Sequence, residues 1–291
     1  MITNQPLKYH GGKSYLAKWI HSLSPASVVD DPAGGYTHRN IVFAGGLGEF
    51  WNWQPVEGIS EAVNDYNYDL TSLWAVIKHD ALFADFVKQV ALTPFSQDDF
   101  DRALLHEPLC ADDLDEWDEM VDDAVQFFVR YRQSRTGLGK DYATPTTRTR
   151  RGMNENVSAW LSAVDGLTEC HERLRRVEIR NLDFAAFIRE YDHPRALFYC
   201  DPPYTHETRT STGEYGDYEM SDESHLALLE QLAGIKGRFM LSGYHSSLYN
   251  PKAGEYAWKC HEKLVVSHAS NKKTKPPRVE CLWTNYLHNK G

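Results

Sequence analysis

The run from Phe198 to Tyr204 has the clearest chemical meaning in the chain, because an apolar segment stops there at an acid followed by two prolines. Residues 196–199 are all apolar or aromatic and predict a buried strand. Proline has no amide hydrogen and fixes φ, so that strand must end at Asp201. In open α/β sheets, ligands bind at the carboxyl ends of the strands. A carboxylate, backbone carbonyls and the ring of Tyr204 at that edge suit a planar group that carries an amine.

Two glycine-containing segments near the start of the chain have the form of ligand-binding loops. The stretch from Lys8 to Ser14 is a glycine turn that leads into a helix, where backbone amides bind anions and Lys13 adds positive charge. It is not a P-loop, because that motif requires a glycine where this chain has Leu7. The stretch from Ile41 to Trp51 predicts a strand, a glycine turn and a helix start. Asp65 follows about 20 residues later, where an acid can hold ribose hydroxyls.

The elements that must position these motifs divide the chain into an α/β part, residues 1–80 and 177–291, and a mostly helical insert, residues 81–176. Apolar spacing predicts helices over 69–78, 81–92, 98–106, 113–132, 156–176 and 226–235. Strands are predicted over 61–65, 177–180, 196–200, 238–242, 264–266 and 279–283. The polar segment 204–221 predicts a flexible loop over the carboxyl edge of the sheet.

Charge is segregated along the chain, although the formal net charge is −10. Acidic residues concentrate between 112 and 123, and basic residues concentrate between 130 and 151. The basic segment contains one acid, Asp141, among glycine, threonine and tyrosine, which is typical of a mobile loop that settles on phosphates. The alternative is that these basic residues simply form a solvent-exposed surface. The candidate residues for such phosphate contacts are Arg135, Lys140, Arg148, Arg150 and Arg151.

The remaining composition argues against several classes of protein. The chain is 42% hydrophobic and 25% charged, and no apolar run reaches the roughly 18 residues that span a bilayer. The first six residues lack the architecture of a signal peptide, so we expect a cytoplasmic protein. The five cysteines are scattered without a CxxC pair and the histidines do not cluster. We therefore expect neither a disulfide framework nor a metal site.

Taken in order, the motifs resemble the Dam-like family of S-adenosylmethionine-dependent DNA adenine-N6 methyltransferases over residues 6–78 and 177–285. The resemblance implies a Rossmann-like methyltransferase sheet with helices on both faces, interrupted by a helical target-recognition domain at 81–176. One departure is Ile41-Val42-Phe43, which stands where the family has an acid followed by Pro-Phe. The motifs are Lys8-Tyr9-x-Gly11-Gly12-Lys13, the glycine loop, Asn64-Asp65-x-Asn67-x-Asp69-Leu70, Asn181-Leu182-Asp183-Phe184 and Asp201-Pro202-Pro203-Tyr204.

The same resemblance implies roles for individual residues. Tyr9 and Lys13 would surround the methionine end of S-adenosylmethionine, and Asp65 would hold its ribose. Asp201 and the carbonyl of Pro202 would accept hydrogen bonds from N6 of a flipped adenine. The ring of Tyr204, which follows Pro203, would stack on that base. The full set expected at the cofactor is Tyr9, Lys13, Ala44, Gly45, Gly46, Asp65, Asp183, Phe184 and Asp201, with the pair at 183–184 contacting the cofactor's adenine.

The chemistry of an exocyclic amine agrees with this assignment. Its lone pair is shared with the ring, and two acceptors on its hydrogens make the nitrogen more nucleophilic. Direct displacement from a sulfonium needs positioning and electrostatics, but neither a metal nor a covalent enzyme nucleophile. An amine inside a duplex cannot be reached, so the base must be flipped.

Several alternatives stay open at this level. Cytosine N4, an RNA adenine and a protein glutamine amide pose the same chemical problem, and a catalytically inactive DNA-binding module is a further reading. The expected partner is double-stranded DNA, with no membrane and no obligatory protein partner. The recognised DNA sequence and the biological role, whether restriction–modification, replication marking or phage defence, are left open.

Overall fold

The computed structural model describes residues 5–108, 117–209, 213–266 and 277–287. The strands in these ranges are β1 (His38–Ile41), β2 (Ser60–Asn64), β3 (Thr149–Arg150), β4 (Met153–Asn154), β5 (Val177–Arg180), β6 (Ala196–Cys200), β7 (Arg238–Gly243), β8 (Lys259–Val266) and β9 (Pro277–Thr284). The α-helices are α1 (Ala17–Ser22), α2 (Tyr68–Lys78), α3 (Asp80–Leu92), α4 (Gln97–Leu105), α5 (Trp117–Arg132), α6 (Glu155–Asp165), α7 (Leu167–Leu174), α8 (Phe184–Tyr191), α9 (Asp222–Gly234) and α10 (Tyr249–Glu255).

The chain forms two compact units, each assembled from separated segments. The first consists of Met1–Lys18, Gly45–Gln54 and Asp65–Asn181, and the second of Trp19–Ala44, Pro55–Asn64 and Leu182–Gly291. The fold class is mixed α/β with a mostly parallel seven-stranded sheet, as the sequence predicts.

Six of the seven strands of this sheet belong to the second unit, in the order β2-β1-β6-β7-β9-β8. Neighbours from β2 to β7 are parallel, whereas β9 is antiparallel to β7 and to β8. The chain passes from β1 to β2 on one side and later to β6 on the other, so the strand order reverses at β1. The carboxyl ends beside such a reversal are where α/β sheets bind ligands.

The core of the second unit explains why β6 is apolar throughout. All five residues of β6 are buried. Parallel strands covered on both faces have continuous rather than alternating apolar sequences. Phe198 of β6 and Phe239 of β7 belong to one buried cluster with Phe187 of α8 and Leu228 of α9. These helices therefore cover the sheet and hold the strand that ends at Asp201.

The first unit is built around α5, which packs against α2, α3 and α4. Its buried residues recur at helical spacing, including Val121, Val125 and Phe128. The Phe128 ring centroid lies 5.7 Å from that of Phe86 in α3 and 5.6 Å from that of Trp160 in α6. This aromatic contact joins three helices of the unit.

Most predicted elements are confirmed, but several differ in extent. The helix predicted over 156–176 is two helices, α6 and α7, because the helix is interrupted at Gly166. The helix start predicted near Trp51 is a short 3₁₀ turn, Phe50–Asn52. Strand β8 begins five residues earlier than predicted, at Lys259. Part of the predicted helix at 113–132 lies outside the described residues.

Other segments have structure that the sequence patterns do not indicate. Helices α8, of eight residues, and α10, of seven residues, are not among the helices that the sequence predicts. The basic segment predicted as a mobile loop contains the hairpin β3–β4. In the predicted flexible loop, Arg209 pairs with Glu214 at 3.3 Å and hydrogen-bonds Glu219 at 3.1 Å. Residues 210–212 of that loop lie outside the described residues.

Among the described residues, no helix has the length and apolar character needed to cross a membrane.

Candidate active site

Asp201 occupies the position that the sequence predicts, immediately after the fully buried strand β6. Strands β1 and β7 flank β6 as parallel neighbours, so the carboxyl ends of all three strands lie at one edge. Asp201 is partly exposed, whereas the adjacent Pro202 and Tyr204 are buried. The acid is therefore presented from a stiff turn at the centre of this edge.

The hydroxyl of Tyr204 is held by a residue to which the sequence patterns assign no role. It donates to Oε2 of Glu280 at 2.9 Å, and the hydroxyl of Tyr244 donates to Oε1 of the same carboxylate at 3.0 Å. The rings of Tyr204 and Tyr244 meet edge to face, with centroids 4.7 Å apart and planes at 81°. One buried carboxylate of β9 thus sets the orientation of both rings.

Tyr204 stays protonated in this environment. Burial, together with the negative charges of Asp201 and Glu280, raises its pKa well above the usual range. A neutral phenol is the required donor for the Glu280 carboxylate. The residue is 9% exposed, so the surrounding protein covers most of the ring.

Asn64 connects two segments at the same edge. Its amide nitrogen donates to the carbonyls of Val42 at 3.1 Å and Leu182 at 3.0 Å, and its oxygen accepts from the Leu182 amide at 2.9 Å. Asn64 is 1% exposed, so these bonds satisfy a polar group that would otherwise be costly to bury. The segment after β1 is thereby fixed to the turn that precedes α8.

Asp183 and Phe184 lie at the start of α8, with Asp183 exposed. The Asp183 carboxylate caps the helix by accepting from the Ala185 amide at 2.8 Å. The ring of Phe184 lies 5.8 Å from that of Phe43, and both are partly exposed. Ala44, one residue further, is buried and its amide donates to the Asn64 carbonyl at 2.8 Å. The structure thus places two aromatic faces beside one available carboxylate.

In the first unit, the glycine loop packs directly on the Tyr9–Lys13 turn. A Cβ at Gly46 would lie 2.8 Å from Cβ of Tyr9, and one at Gly48 would lie 2.8 Å from the backbone nitrogen of Lys13. Only glycine permits this approach of backbone to backbone. The structure therefore brings together two motifs that are more than 30 residues apart in the sequence.

Two indoles support the carbonyl side of this loop. Nε1 of Trp74 donates to the Gly45 carbonyl at 3.2 Å, and Nε1 of Trp51 donates to the Gly46 carbonyl at 3.1 Å. Gly45 itself has a φ of 47°, in the left-handed region that favours glycine. The loop is thus held in one conformation by its own residues and by α2.

Asp65 fixes the other side of the glycine loop. Its Oδ2 accepts from the Gly45 amide at 2.8 Å and its Oδ1 accepts from the Asn67 amide at 2.9 Å. Asn67, not Asp65, caps α2, since its side chain accepts from the Leu70 amide. Each carboxylate oxygen has a second lone pair, so Asp65 can also accept from a ligand hydroxyl.

Lys13 and Tyr9 lie next to this loop with different degrees of burial. Lys13 is 7% exposed and its Nζ donates to the Gly11 carbonyl at 3.2 Å. The Tyr9 ring is partly exposed and lies 5.1 Å from that of Tyr131. A buried ammonium beside a glycine-rich loop favours an anionic group as the ligand.

All five candidate DNA-contacting residues are exposed, but Arg151 differs from the others in its contacts. Arg148 and Arg150 are exposed on the hairpin β3–β4, and Arg135 and Lys140 are exposed elsewhere in the segment. Arg151 instead donates from Nε to Oγ of Ser158 at 3.0 Å and from Nη2 to its carbonyl at 2.6 Å. Arg151 therefore anchors the hairpin to α6.

The hairpin turn itself is tight. Arg151 and Gly152 both have positive φ, of 54° and 74°, as two-residue hairpin turns require. Arg148 directly precedes β3 and Arg150 is its last residue, so both exposed arginines lie close in sequence to this turn.

Sequence reasoning assigns no role to Glu280, Tyr244 or Asn64. A buried acid in an otherwise apolar strand is the signal that indicates Glu280, since such an acid must have a partner. Asn64 lies inside a quoted motif, but its three bonds depend on segments distant in sequence.

Comparison with known families identifies the family that this chain matches. A family model described as D12 class N6 adenine-specific DNA methyltransferase matches residues 9–269. A search of curated proteins finds no match for the chain.

We predict that Gly48→Ala destabilises the protein by roughly 1–3 kcal/mol, because the added methyl group meets backbone atoms that cannot rotate away. The decrease is measured as the free energy of unfolding in urea. Gly234→Ala is the matched control, since a Cβ at this helical position meets nothing within 4 Å. Equal stabilities of the two variants would contradict the packing described for the loop.

We predict that Glu280→Ala lowers the free energy of unfolding by about 2–3 kcal/mol, because two tyrosine hydroxyls lose their acceptor. Glu280→Gln, which keeps one acceptor oxygen, should lose less. Glu178→Ala, an exposed acid on β5, serves as the control and should change stability by less than about 0.5 kcal/mol. A Glu280→Ala variant as stable as the control would show that the carboxylate does not hold the rings.

Proposed function

The chain belongs to the D12 class N6 adenine-specific DNA methyltransferase family, and on this premise we propose that Asp201, Pro202 and Tyr204 bind and activate the adenine whose N6 is methylated. The observation that supports this most directly is the position of Asp201 on the turn after the buried central strand β6. Family membership identifies the acceptor as adenine in DNA, rather than cytosine N4 or RNA adenine.

Asp201 acts on the amine through hydrogen bonding and charge. Its carboxylate accepts one N6 hydrogen while the Pro202 carbonyl accepts the other, which draws the nitrogen lone pair out of conjugation with the ring. When N6 gains a methyl group the nitrogen becomes positively charged, and the carboxylate stabilises that charge and takes up the released proton.

Tyr204 supplies the surface for a flipped base. Its hydroxyl is occupied by Glu280 at 2.9 Å, so the residue contributes its ring face rather than a proton. Because the residue is 9% exposed, a base stacks on the ring only after neighbouring groups move aside. The contact with Glu280 keeps the ring in one orientation while this happens.

The family requires a methyl donor, and we propose that it is S-adenosylmethionine. When bound, this cofactor supplies an electrophilic methyl group on a sulfonium. In the first unit, the Lys13 ammonium suits its carboxylate and the Asp65 carboxylate suits its ribose hydroxyls. The glycines of the loop, among them Gly46, support this fit, because a ligand can approach a backbone without side chains closely.

Taken by itself, the second unit contains groups suited to an adenine ring. The partly exposed rings of Phe43 and Phe184, 5.8 Å apart, offer apolar faces. The exposed Asp183 carboxylate has acceptor capacity beyond its bond to the Ala185 amide. A carboxylate beside aromatic faces suits the amine of an adenine ring.

We further propose that residues 81–176 carry the contacts to DNA, with the hairpin β3–β4 on the phosphates. Exposed Arg148 and Arg150 are suited to this role, as are Arg135 and Lys140. Arg151 belongs to the same proposed set, and it also holds the hairpin to α6 through Ser158.

We predict that Asp201→Asn lowers the single-turnover rate of methyl transfer to DNA by about 10²–10⁴-fold, because the charge that activates N6 is lost. Binding of DNA and of S-adenosylmethionine should change little. The rate is measured with tritiated cofactor on duplex DNA, and Asp217→Asn, an exposed substitution, is the control. Full activity of Asp201→Asn would overturn the mechanism.

We predict that replacing both Arg148 and Arg150 by Gln makes the plot of log K for DNA binding against log salt shallower by roughly two, because each arginine neutralises one phosphate. Affinity is measured by fluorescence anisotropy at several salt concentrations. Arg102→Gln, on an exposed position of α4, is the control. An unchanged slope would show that the hairpin does not bind phosphates.

A further inference from the structure

A cluster of metal-binding side chains lies on one face of the antiparallel pair β8–β9. Cys260 and Glu262 are two residues apart on β8 and therefore point to the same side of the sheet. Glu262 pairs directly with Cys281 of β9, so Cys281 shares that side. Two thiols and a carboxylate thus converge on one surface.

His245 adds an imidazole to this surface from a third segment. It lies two residues beyond Gly243, the last residue of β7, and Gly243 pairs with Cys281. One ring nitrogen of His245 and the sulfur atoms of Cys260 and Cys281 all lie within 4.8 Å of one another. The imidazole meets the indole of Trp283 edge to face, which restricts its orientation.

Both ring nitrogens of His245 have polar neighbours, and Nδ1 lies 2.9 Å from Oδ1 of Asn250. The sulfur atoms of Cys260 and Cys281 lie within 4.8 Å of each other. Nε2 of His245 lies 3.0 Å from Oε1 of Glu262. Around a zinc ion with bonds of about 2.0–2.3 Å, neighbouring ligand atoms are about 3.3–3.8 Å apart. Side-chain rotations that move each donor by about an ångström would reach that arrangement.

We propose that His245, Cys260, Cys281 and Glu262 bind one zinc ion, a site that the methyl-transfer reaction does not require. Two thiolates and an imidazole are the ligands that zinc prefers, and a carboxylate completes four-coordination. Binding displaces the protons of both thiols and the proton shared by the imidazole and the carboxylate, and it involves no change of oxidation state.

The four side chains differ in exposure in a way that would let a metal ion enter from solvent. Cys281 is 1% exposed and Cys260 is partly buried, whereas His245 and Glu262 are exposed at the side chain. The sulfur atoms therefore form a shielded base and the other two ligands close the site from solvent. The spacing of 15 residues from His245 to Cys260 and 21 from Cys260 to Cys281 explains why the sequence predicts no metal site.

The proposed ligands alternate with the residues that hold Tyr204. Cys281 directly follows Glu280, and His245 directly follows Tyr244. Successive residues of a strand point to opposite faces, so the metal would bind on one side of β9 and Glu280 would act on the other. This link rests on the proposed role of Tyr204, whereas the metal site itself does not.

Metal content and cobalt spectroscopy of the full chain test the proposal. The reduced protein, purified with zinc in the growth medium, should contain one zinc per chain by mass spectrometry. After removal of zinc by a chelator, titration with Co²⁺ should produce the strong visible bands of tetrahedral cobalt together with thiolate-to-cobalt charge transfer. Neither readout depends on methyl transfer, so failure here is distinct from failure of the proposed catalysis.

Variants assign the ligands. Cys260→Ser, Cys281→Ser and His245→Gln should each abolish stoichiometric binding, and Glu262→Gln should weaken Co²⁺ affinity by about 10–100-fold. His261→Gln, the neighbour on the opposite side of β8, and Cys170→Ser of α7 should bind as the unaltered protein does.

The proposal is overturned if the unaltered protein shows no charge-transfer band with Co²⁺, or if bound zinc persists in the variants of Cys260, Cys281 and His245. It is also overturned if the reduced protein, with no disulfide between these cysteines, takes up no metal. The unaltered protein's cobalt spectrum decides the matter even where a variant fails to fold.

Discussion

The parallel hydrogen bonding of β6 between β1 and β7 is the constraint on which the acceptor side of this enzyme depends. A parallel ladder aligns strand direction, so the carboxyl ends of these strands must share one edge. Every residue of β6 is buried, which leaves the first residue after it, Asp201, as the place where the strand meets solvent. The prolines that follow have no amide hydrogen, and they hold the carboxylate at that edge.

Buried polar side chains then convert this edge into a defined surface. Asn64 binds the segments on either side of it through three hydrogen bonds, and Glu280 accepts from two tyrosines. Each would be destabilising in the core without partners, and each is engaged with groups distant in sequence. Because burying either group without partners is costly, Glu280 orders the ring of Tyr204 and Asn64 orders the turn before α8. A zinc ion bound on the other face of β9 would add a further constraint to the same strand.

In the first unit, the conformation of the glycine loop depends on close packing and on one carboxylate. The absence of side chains at Gly46 and Gly48 allows the loop to approach Cβ of Tyr9 and the backbone nitrogen of Lys13. Asp65 holds the loop from the opposite side by accepting from the Gly45 amide. The same carboxylate is therefore both a structural acceptor and, under the proposed function, a ligand for ribose. This double use is possible because each carboxylate oxygen can accept more than one hydrogen bond.

The sequence by itself determined the strand that ends at Asp201, the glycine loop, most helices and the family, because these depend on local periodicity, on proline and glycine and on the order of short motifs. Only the tertiary structure decided that the helix predicted over 156–176 divides at Gly166, that Arg151 anchors a hairpin, and that Glu280 holds Tyr204. It alone also places His245 beside two cysteines. These features depend on pairing across many residues, and strand register and packing, which set such pairs, leave no periodic signal in the sequence.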